Sequence, residues 1–416
     1  MVRREIYMKK INSLIGHELI KVITGIRRSG KSYLLKLIIE ELKSQGVNEK
    51  NIILINFDTP KYNHIENTRE LDLLVGDMVK DIKGKIYLFF DEIQNIDEWE
   101  KSIAGYQVIY DCDIYITGSN SKMLSGELAT HLTGRYIQIK VYPFSFNEFK
   151  EFKHERQSLK EIEGYEYPVN KKEPSREELF EEYLIYGGMP VVQSLDEEYK
   201  LEYLKDVYTS IITNDILNRY EIRDVNLLKR IIEFLIDNTG KETSLKNIVK
   251  YLQERNIKIA KKTIYNYVEY MEEACLILKA KKENLEGKEI LKLNEKYYIA
   301  DHGFSQAIVG KNKKNISRII ENIVFIELLR RGYDVSVGNI DGKEVDFVCK
   351  KFEKTIYIQV CYELKEEKTI KREFAPLLNI KDNYPKYIIS MDTNDNSDKG
   401  IINLNLIDFL EDYSLI

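Results

Sequence analysis

The sequence predicts an α/β protein, on three observations. The apolar run Leu19–Thr24 leads straight into Gly25-Ile26-Arg27-Arg28-Ser29-Gly30-Lys31-Ser32, and a helical face of Leu34, Leu35, Ile38 and Ile39 follows. A second apolar run, Ile86–Phe90, ends in paired carboxylates, Asp91 and Glu92. Strand-like runs and helical patterns then alternate over the first 150 residues, the order of an α/β fold.

The chain has 416 residues, enough for about two to four domains of ordinary size. Hydrophobic content of 43% supports sizeable cores, and no apolar run is long enough to span a bilayer. The N-terminus carries charge without a following apolar stretch, so no secretory signal is expected. Cys112, Cys275, Cys349 and Cys361 are scattered, as in a reduced, cytoplasmic protein. The five histidines show no zinc spacing. Net charge is −5, so any nucleic-acid contact must be local. Residues 151–200 carry 7 basic and 13 acidic side chains, whereas 241–300 carry 13 basic and 9 acidic.

The elements follow in order. A lead-in helix over Met1–Gly16 precedes strand Leu19–Thr24. The next stretch reads G-x-x-x-x-G-K-S, a Walker A loop. Gly25 and Gly30 let backbone wrap a phosphate, and the loop N–H groups with the helix N-terminus face the anion. Lys31 is expected to reach the β- and γ-phosphates of ATP and Ser32 to ligate Mg²⁺. Arg28, Ser29 and Tyr33 complete the expected nucleotide-binding stretch. Asn51–Phe57 reads as a buried strand, then a loop and a helix with Leu71, Leu74 and Val75. Ile86–Glu92 has the Walker B pattern: Asp91 would hold the Mg²⁺ and Glu92 would orient or deprotonate water. Strand Asp113–Thr117 ends in Gly118-Ser119-Asn120. Thr117, Ser119 and Asn120 are candidate phosphate sensors, or an ordinary strand-end turn. Leu132-Thr133-Gly134-Arg135 leads into strand Tyr136–Val141.

Together GIRRSGKS, LFFDEIQ, TGSN, LTGRY and YPFSFNEF resemble the prokaryotic AAA+ ATPases, most closely the AAA group 14 type. The resemblance implies a P-loop AAA+ core: a doubly wound, five-stranded parallel sheet with ligand at the strand C-termini. It also implies that Arg135 stands where an arginine finger would, which makes a homo-oligomer a candidate assembly. Tyr186-Gly187-Gly188-Met189-Pro190 resembles the end of the family's helical lid, although no arginine follows it.

His154–Glu173 is charged and aperiodic and reads as an insertion or linker. Ser175 and Glu178 then form a capping box for the lid helix. Helices at Leu227–Asn238, Ser244–Arg255 and Lys261–Cys275, followed by strands Leu276–Lys282 and Glu289–Leu293, have winged-helix order. Lys261, Lys262, Tyr265 and Asn266 share one face and suit double-stranded DNA, or merely solvate a protein-contact module. From Asn315 the order resembles a PD-(D/E)xK nuclease-like fold, with Glu321 and Asp346 as its acids. Gln359-Val360-Cys361 stands where Glu-x-Lys would be, so no nuclease activity is expected. Tyr357, Gln359 and Cys361 are expected on one face, opposite a core of Ile356, Ile358 and Val360. Glu363 and Lys365 repeat the E-x-K spacing beyond the strand.

The expected division is an ATPase core at 1–158, a helical lid at 174–222, a winged helix at 223–312 and a restriction-endonuclease-like α/β domain at 313–416. The expected activity is Mg²⁺-dependent ATP hydrolysis driving a switch or remodelling step with DNA. The alternative is a regulatory switch whose C-terminal domains bind protein.

Overall fold

A computed structural model describes residues 2–119, 132–162, 174–243, 245–255, 257, 260–285, 290–310 and 315–416. The chain divides into two compact units. One is Met1–Tyr142 with Glu273–Cys275, and the other is Pro143–Glu272 with Leu276–Ile416. Among the described residues no helix is long and apolar enough to cross a membrane.

The first unit runs α1 (Glu5–Asn12), β1 (Ile20–Thr24), α2 (Lys31–Ser44), β2 (Ile52–Asn56), α3 (Thr68–Val79), β3 (Ile86–Asp91), α4 (Trp99–Ile109), β4 (Cys112–Gly118) and β5 (Tyr136–Lys140). The five strands form one parallel sheet in the order β2-β3-β4-β1-β5. Strand alternation divides its side chains between two cores. Ile20, Val22, Leu88, Phe90, Ile114 and Ile116 face α3 and α4, meeting Leu71, Val75, Trp99 and Ile103. Ile23, Phe89, Tyr115 and Ile139 face α1 and α2, meeting Tyr7, Ile11, Leu34, Leu35 and Ile38. Burial on both faces explains why these strands read as continuous apolar runs. The exceptions are the two edge strands: β2, expected to be buried, exposes Leu54, and β5 exposes Gln138.

The winding order puts the C-terminal ends of β1, β3 and β4 side by side. Gly25 must be glycine: its φ is +151°, and a Cβ there would lie 2.1 Å from the Val141 carbonyl oxygen. Gly30, at φ +98°, turns the chain into α2.

The second unit begins with α5 (Phe146–Ile162) and α6 (Arg176–Tyr186). Helix α5 continues into the stretch expected to be a linker, because Phe146 and Phe149 anchor its first turns against Phe180 and Tyr183 of α6. The remainder of that stretch, 163–173, lies outside the described residues. Ser175 and Glu178 make the expected capping box. Gly187 and Gly188 close α6 against Asp301 and Phe144: a Cβ would approach the Asp301 carboxylate to 1.8 Å at the first and the Phe144 carbonyl oxygen to 2.3 Å at the second. Next come α7 (Glu197–Ser210) with a π-helical extension, α8 (Val225–Asp237), β6 (Glu242–Thr243), α9 (Leu245–Gln253), α10 (Lys261–Glu273), β7 (Ile277–Asn284) and β8 (Ile290–Ile299).

The chain then adds α11 (Ile316–Arg330), β9 (Asp334–Ile340), β10 (Lys343–Lys351), β11 (Lys354–Val360), α12 (Glu367–Asn379), β12 (Lys386–Ser390), β13 (Ile401–Asn405) and α13 (Leu406–Glu411). One eight-stranded sheet holds all of these strands, in the order β13-β12-β11-β10-β9-β7-β8-β6. The β7–β8 hairpin is therefore no free wing, because β7 pairs in parallel with β9. Both faces of β11 are covered, so the face of Tyr357, Gln359 and Cys361, expected opposite the core, is itself buried. Tyr357 and Cys361 pack with Phe374 and Leu377 of α12, and Gln359 is buried as well.

Candidate functional site

Strand register assembles the first site. Asn56, last residue of β2, is the parallel partner of Asp91, last residue of β3. Phe90 pairs with Ile116, which brings Thr117 of β4 beside Asp91. Three neutral donors converge on the buried Asp91 carboxylate. Ser32 Oγ and Thr117 Oγ1 donate to Oδ1 at 3.0 and 2.5 Å, and Asn56 Nδ2 donates to Oδ2 at 2.7 Å.

Glu92 follows with a left-handed backbone, φ 57°, and its N–H donates to Thr117 Oγ1 at 3.0 Å. Its carboxylate accepts from Gln94 Nε2 at 2.5 Å and lies 4.0 Å from Lys31 Nζ. Lys31 is 4% exposed, and its ammonium donates to the Gly25 and Ile26 carbonyls at 3.0 and 3.2 Å. Lys31, Ser32, Asp91, Glu92 and Thr117 thus gather as a group at the ends of three strands.

Other expected residues sit apart from that group. Ser29 is fully buried, and its hydroxyl has no hydrogen-bond partner among the described residues. Arg28 is exposed with φ 68°, and Tyr33 is half-buried in the first turn of α2. Arg135 is exposed at the start of β5, where its carbonyl accepts from Ile20 N at 2.9 Å. Asn120 lies outside the described residues. Asn56 and Gln94 were not singled out from the sequence. The only signal for Asn56 was a polar residue interrupting the apolar run around it.

Mg²⁺ prefers octahedral oxygen ligands at about 2.1 Å, which puts adjacent ligand oxygens about 3 Å apart. The Ser32 Oγ–Asp91 Oδ1 separation of 3.0 Å has that spacing. Among the described residues no group of three or more His, Cys, Asp or Glu side chains could hold a metal ion. A cation here would take its remaining ligands from water and phosphate.

A second polar cluster lies in the eight-stranded sheet. A register shift between Val345 and Val348 marks a bulge in β10 at Asp346. Lys296 of β8 is 3% exposed. Its Nζ stands 2.9 Å from Glu321, 2.7 Å from Glu344 and 3.9 Å from Asp346. Burial opposes its charge, yet these carboxylates hold its pKa above the ordinary lysine value. Burial and the neighbouring Glu321 push the Asp346 carboxyl well up. Tyr298 donates to Glu321 at 2.7 Å, and Val360 N donates to Asp346 at 2.9 Å. Gln359 accepts from Asp346 N at 2.7 Å and donates to Glu373 at 3.1 Å. A cavity of about 490 Å³ opens beside them. Glu363 and Lys365 pair with one another at the surface and are not part of the cluster. Neither Lys296 nor Glu373 was marked by the sequence.

A family model described as an AAA domain matches residues 17–150, and a domain of unknown function (DUF8612) matches 177–315. An uncharacterized protein of Haemophilus influenzae is 40% identical over 390 residues, covering 94% of this chain and 93% of that protein. The chain belongs to the AAA+ P-loop ATPase family. Another relative of this AAA+ protein, an uncharacterized protein of Methanocaldococcus jannaschii, is 34% identical over 382 residues, covering 88% of the chain and 78% of the relative. Among solved structures, the Aeropyrum pernix ORC1 protein in complex with DNA has a TM-score of 0.34 at 10% identity, covering 73% of this chain and 90% of that one. AMPPCP-bound DnaA from Aquifex aeolicus has a TM-score of 0.31 at 14% identity, covering 65% and 86%. Both scores are low, and neither likeness bears on function.

Proposed function

We propose that this AAA+ protein binds and hydrolyses Mg·ATP at the ends of β1, β3 and β4. The observation that carries the reading is the pairing of Ser32 Oγ with Asp91 Oδ1, flanked by Lys31 and Glu92. Lys31 turns from its loop carbonyls to the β- and γ-phosphates, while the N–H groups of Gly25 to Ser32 cradle them. Ser32 and Asp91 would hold Mg²⁺, which would supply positive charge to the phosphates. Asn56 and Thr117 hold the Asp91 carboxylate in place beside Ser32, as the orienting partners of a metal ligand would. Glu92 takes the proton of the attacking water or orients it. Arg135 acts as an arginine finger on the nucleotide of a neighbouring copy, consistent with its exposure.

Hydrolysis drives a switch or remodelling step with DNA, contacted through α10 of a winged-helix-like region at 223–312 whose hairpin is joined to the larger sheet. Lys261, Lys262 and Tyr265 are exposed on this helix. The nuclease-like domain at 313–416 would then serve binding and not cleavage. One observation favours protein as the partner instead. Lys279, Lys282 and Lys296 are each paired with carboxylates of the second unit, so part of the basic excess of 241–300 is spent internally. ATPase rate measured with and without duplex DNA, at two salt concentrations, separates the two. Stimulation that fades with salt supports DNA, and an unchanged rate supports protein.

A further inference from the structure

Arg4 belongs to no motif, yet it is the largest fully buried side chain of the described residues. Its backbone is left-handed, φ 53°, an uncommon state for a residue with a Cβ. That geometry turns its guanidinium inward beneath the phosphate loop. Nη1 donates to the Ser29 carbonyl at 2.8 Å, and Nη2 donates to the Tyr142 carbonyl at 2.8 Å. The guanidinium carbon lies 4.7 Å from the centroid of the Tyr7 ring, and the Tyr7 hydroxyl accepts from Tyr142 N at 3.0 Å.

The two carbonyls are informative. In a planar trans peptide the C=O and the next N–H point in opposite directions. Holding the Ser29 carbonyl therefore directs the Gly30 N–H to the opposite side, where a loop of this type binds its anion. Tyr142 is the last residue of the first unit before Pro143. Because Pro143 has no N–H, the Tyr142 carbonyl is the only hydrogen-bonding group of that peptide. The preceding residue also meets the loop, since the Val141 carbonyl fills the space a Gly25 side chain would need.

We propose that Arg4 is a positioning residue for the phosphate loop, and that it makes the Tyr142–Pro143 peptide respond to nucleotide. Its guanidinium holds the Ser29–Gly30 peptide plane and the exit peptide at once, so a shift in one is felt by the other. Lysine cannot replace it fully, because one ammonium cannot present the planar fork that reaches both carbonyls. This inference rests on the reading that the loop binds Mg·ATP.

The test uses the full chain as wild type, Arg4→Met and Arg4→Lys. Calorimetry gives the Mg·ATP affinity, steady-state kinetics separates KM from kcat, and amide exchange follows residues 144–149 with and without Mg·ATP. Losing charge-assisted hydrogen bonds on this scale corresponds to about tenfold or more in binding. Arg4→Met is expected to weaken Mg·ATP by that factor, chiefly through KM, with Arg4→Lys between it and wild type. Wild type should show nucleotide-dependent exchange at 144–149, and Arg4→Met should not. If Arg4→Met fails to fold, Arg4→Lys carries the same comparison. A lowered melting temperature with unchanged affinity and exchange in the folded variant would make Arg4 merely structural and overturn the inference. Failure of wild type to bind Mg·ATP would overturn the nucleotide reading itself.

Discussion

Asp91 and Asp346 are both buried aspartates carried on sheet strands, and their surroundings are opposite in kind. Asp91 is held by two hydroxyls and an amide, all neutral donors. Among the described residues no ion pair reaches Asp91, the neighbouring ammonium of Lys31 standing 4.0 Å from Glu92 instead, and neutral donors can shift when a cation arrives. Asp346 shares its surroundings with Glu321, Glu344 and an internal ammonium, Lys296. That ammonium already stands among the carboxylates. A divalent ion would have to displace a buried lysine whose ion pairs among the described residues are all with these carboxylates. A cluster of acids thus marks a cation site only when no internal ammonium already pairs with it.

The comparison breaks first at Lys31. Lys31→Ala should abolish tight Mg·ATP binding and leave the fold intact, because the loop loses the cation placed for the β- and γ-phosphates. Calorimetry showing parental affinity would mean the loop is wrongly assigned. Next is Arg135. If it acts between copies, turnover per chain should rise with protein concentration, and Arg135→Ala should remove a rise of about 10³-fold. A rate independent of concentration in both proteins would make Arg135 structural.

Lys296→Met sharpens the other side. Removing the ammonium leaves buried carboxylates unpaired, at a cost of about 3–5 kcal/mol read by urea denaturation. A change below about 1 kcal/mol would show that the pairing matters little. Asn56→Ala should be milder. It removes one charge-assisted hydrogen bond to Asp91, worth about 1.5–3 kcal/mol, and should raise the Mg²⁺ needed for half-maximal turnover without abolishing it. No change in Mg²⁺ dependence would leave Asn56 without its orienting role. The smallest expected effect is none at all. Supercoiled and single-stranded DNA incubated with Mn²⁺ should stay intact, and cleavage that disappears in Asp346→Ala would refute the contrast.

The sequence made the phosphate loop and the Asp91-Glu92 pair legible because both depend on local spacing. The inner strands β1, β3 and β4 were legible for a similar reason, since burial on both faces produces largely apolar runs. Asn56 was not legible, because its meeting with Asp91 depends on β2 lying beside β3. Lys296 was hidden for the same reason and by its own composition. In a segment with 13 basic residues, nothing local separates a buried lysine from a solvated one. The joining of β7 to β9 also lay beyond reach, since it pairs residues about fifty positions apart. Strand β13 was missed because it is short and mixed, Ile-Ile-Asn-Leu-Asn, with only Ile401 buried.

The central claim is that Asp91 and Glu92 do different work on one bound nucleotide. Single-turnover hydrolysis of Mg·ATP by Glu92→Gln, with affinity measured on the same sample, tests it most directly. Near-parental affinity is expected, with hydrolysis slowed by about 10²–10⁴-fold, the usual worth of a general base. Hydrolysis at the parental rate would contradict it.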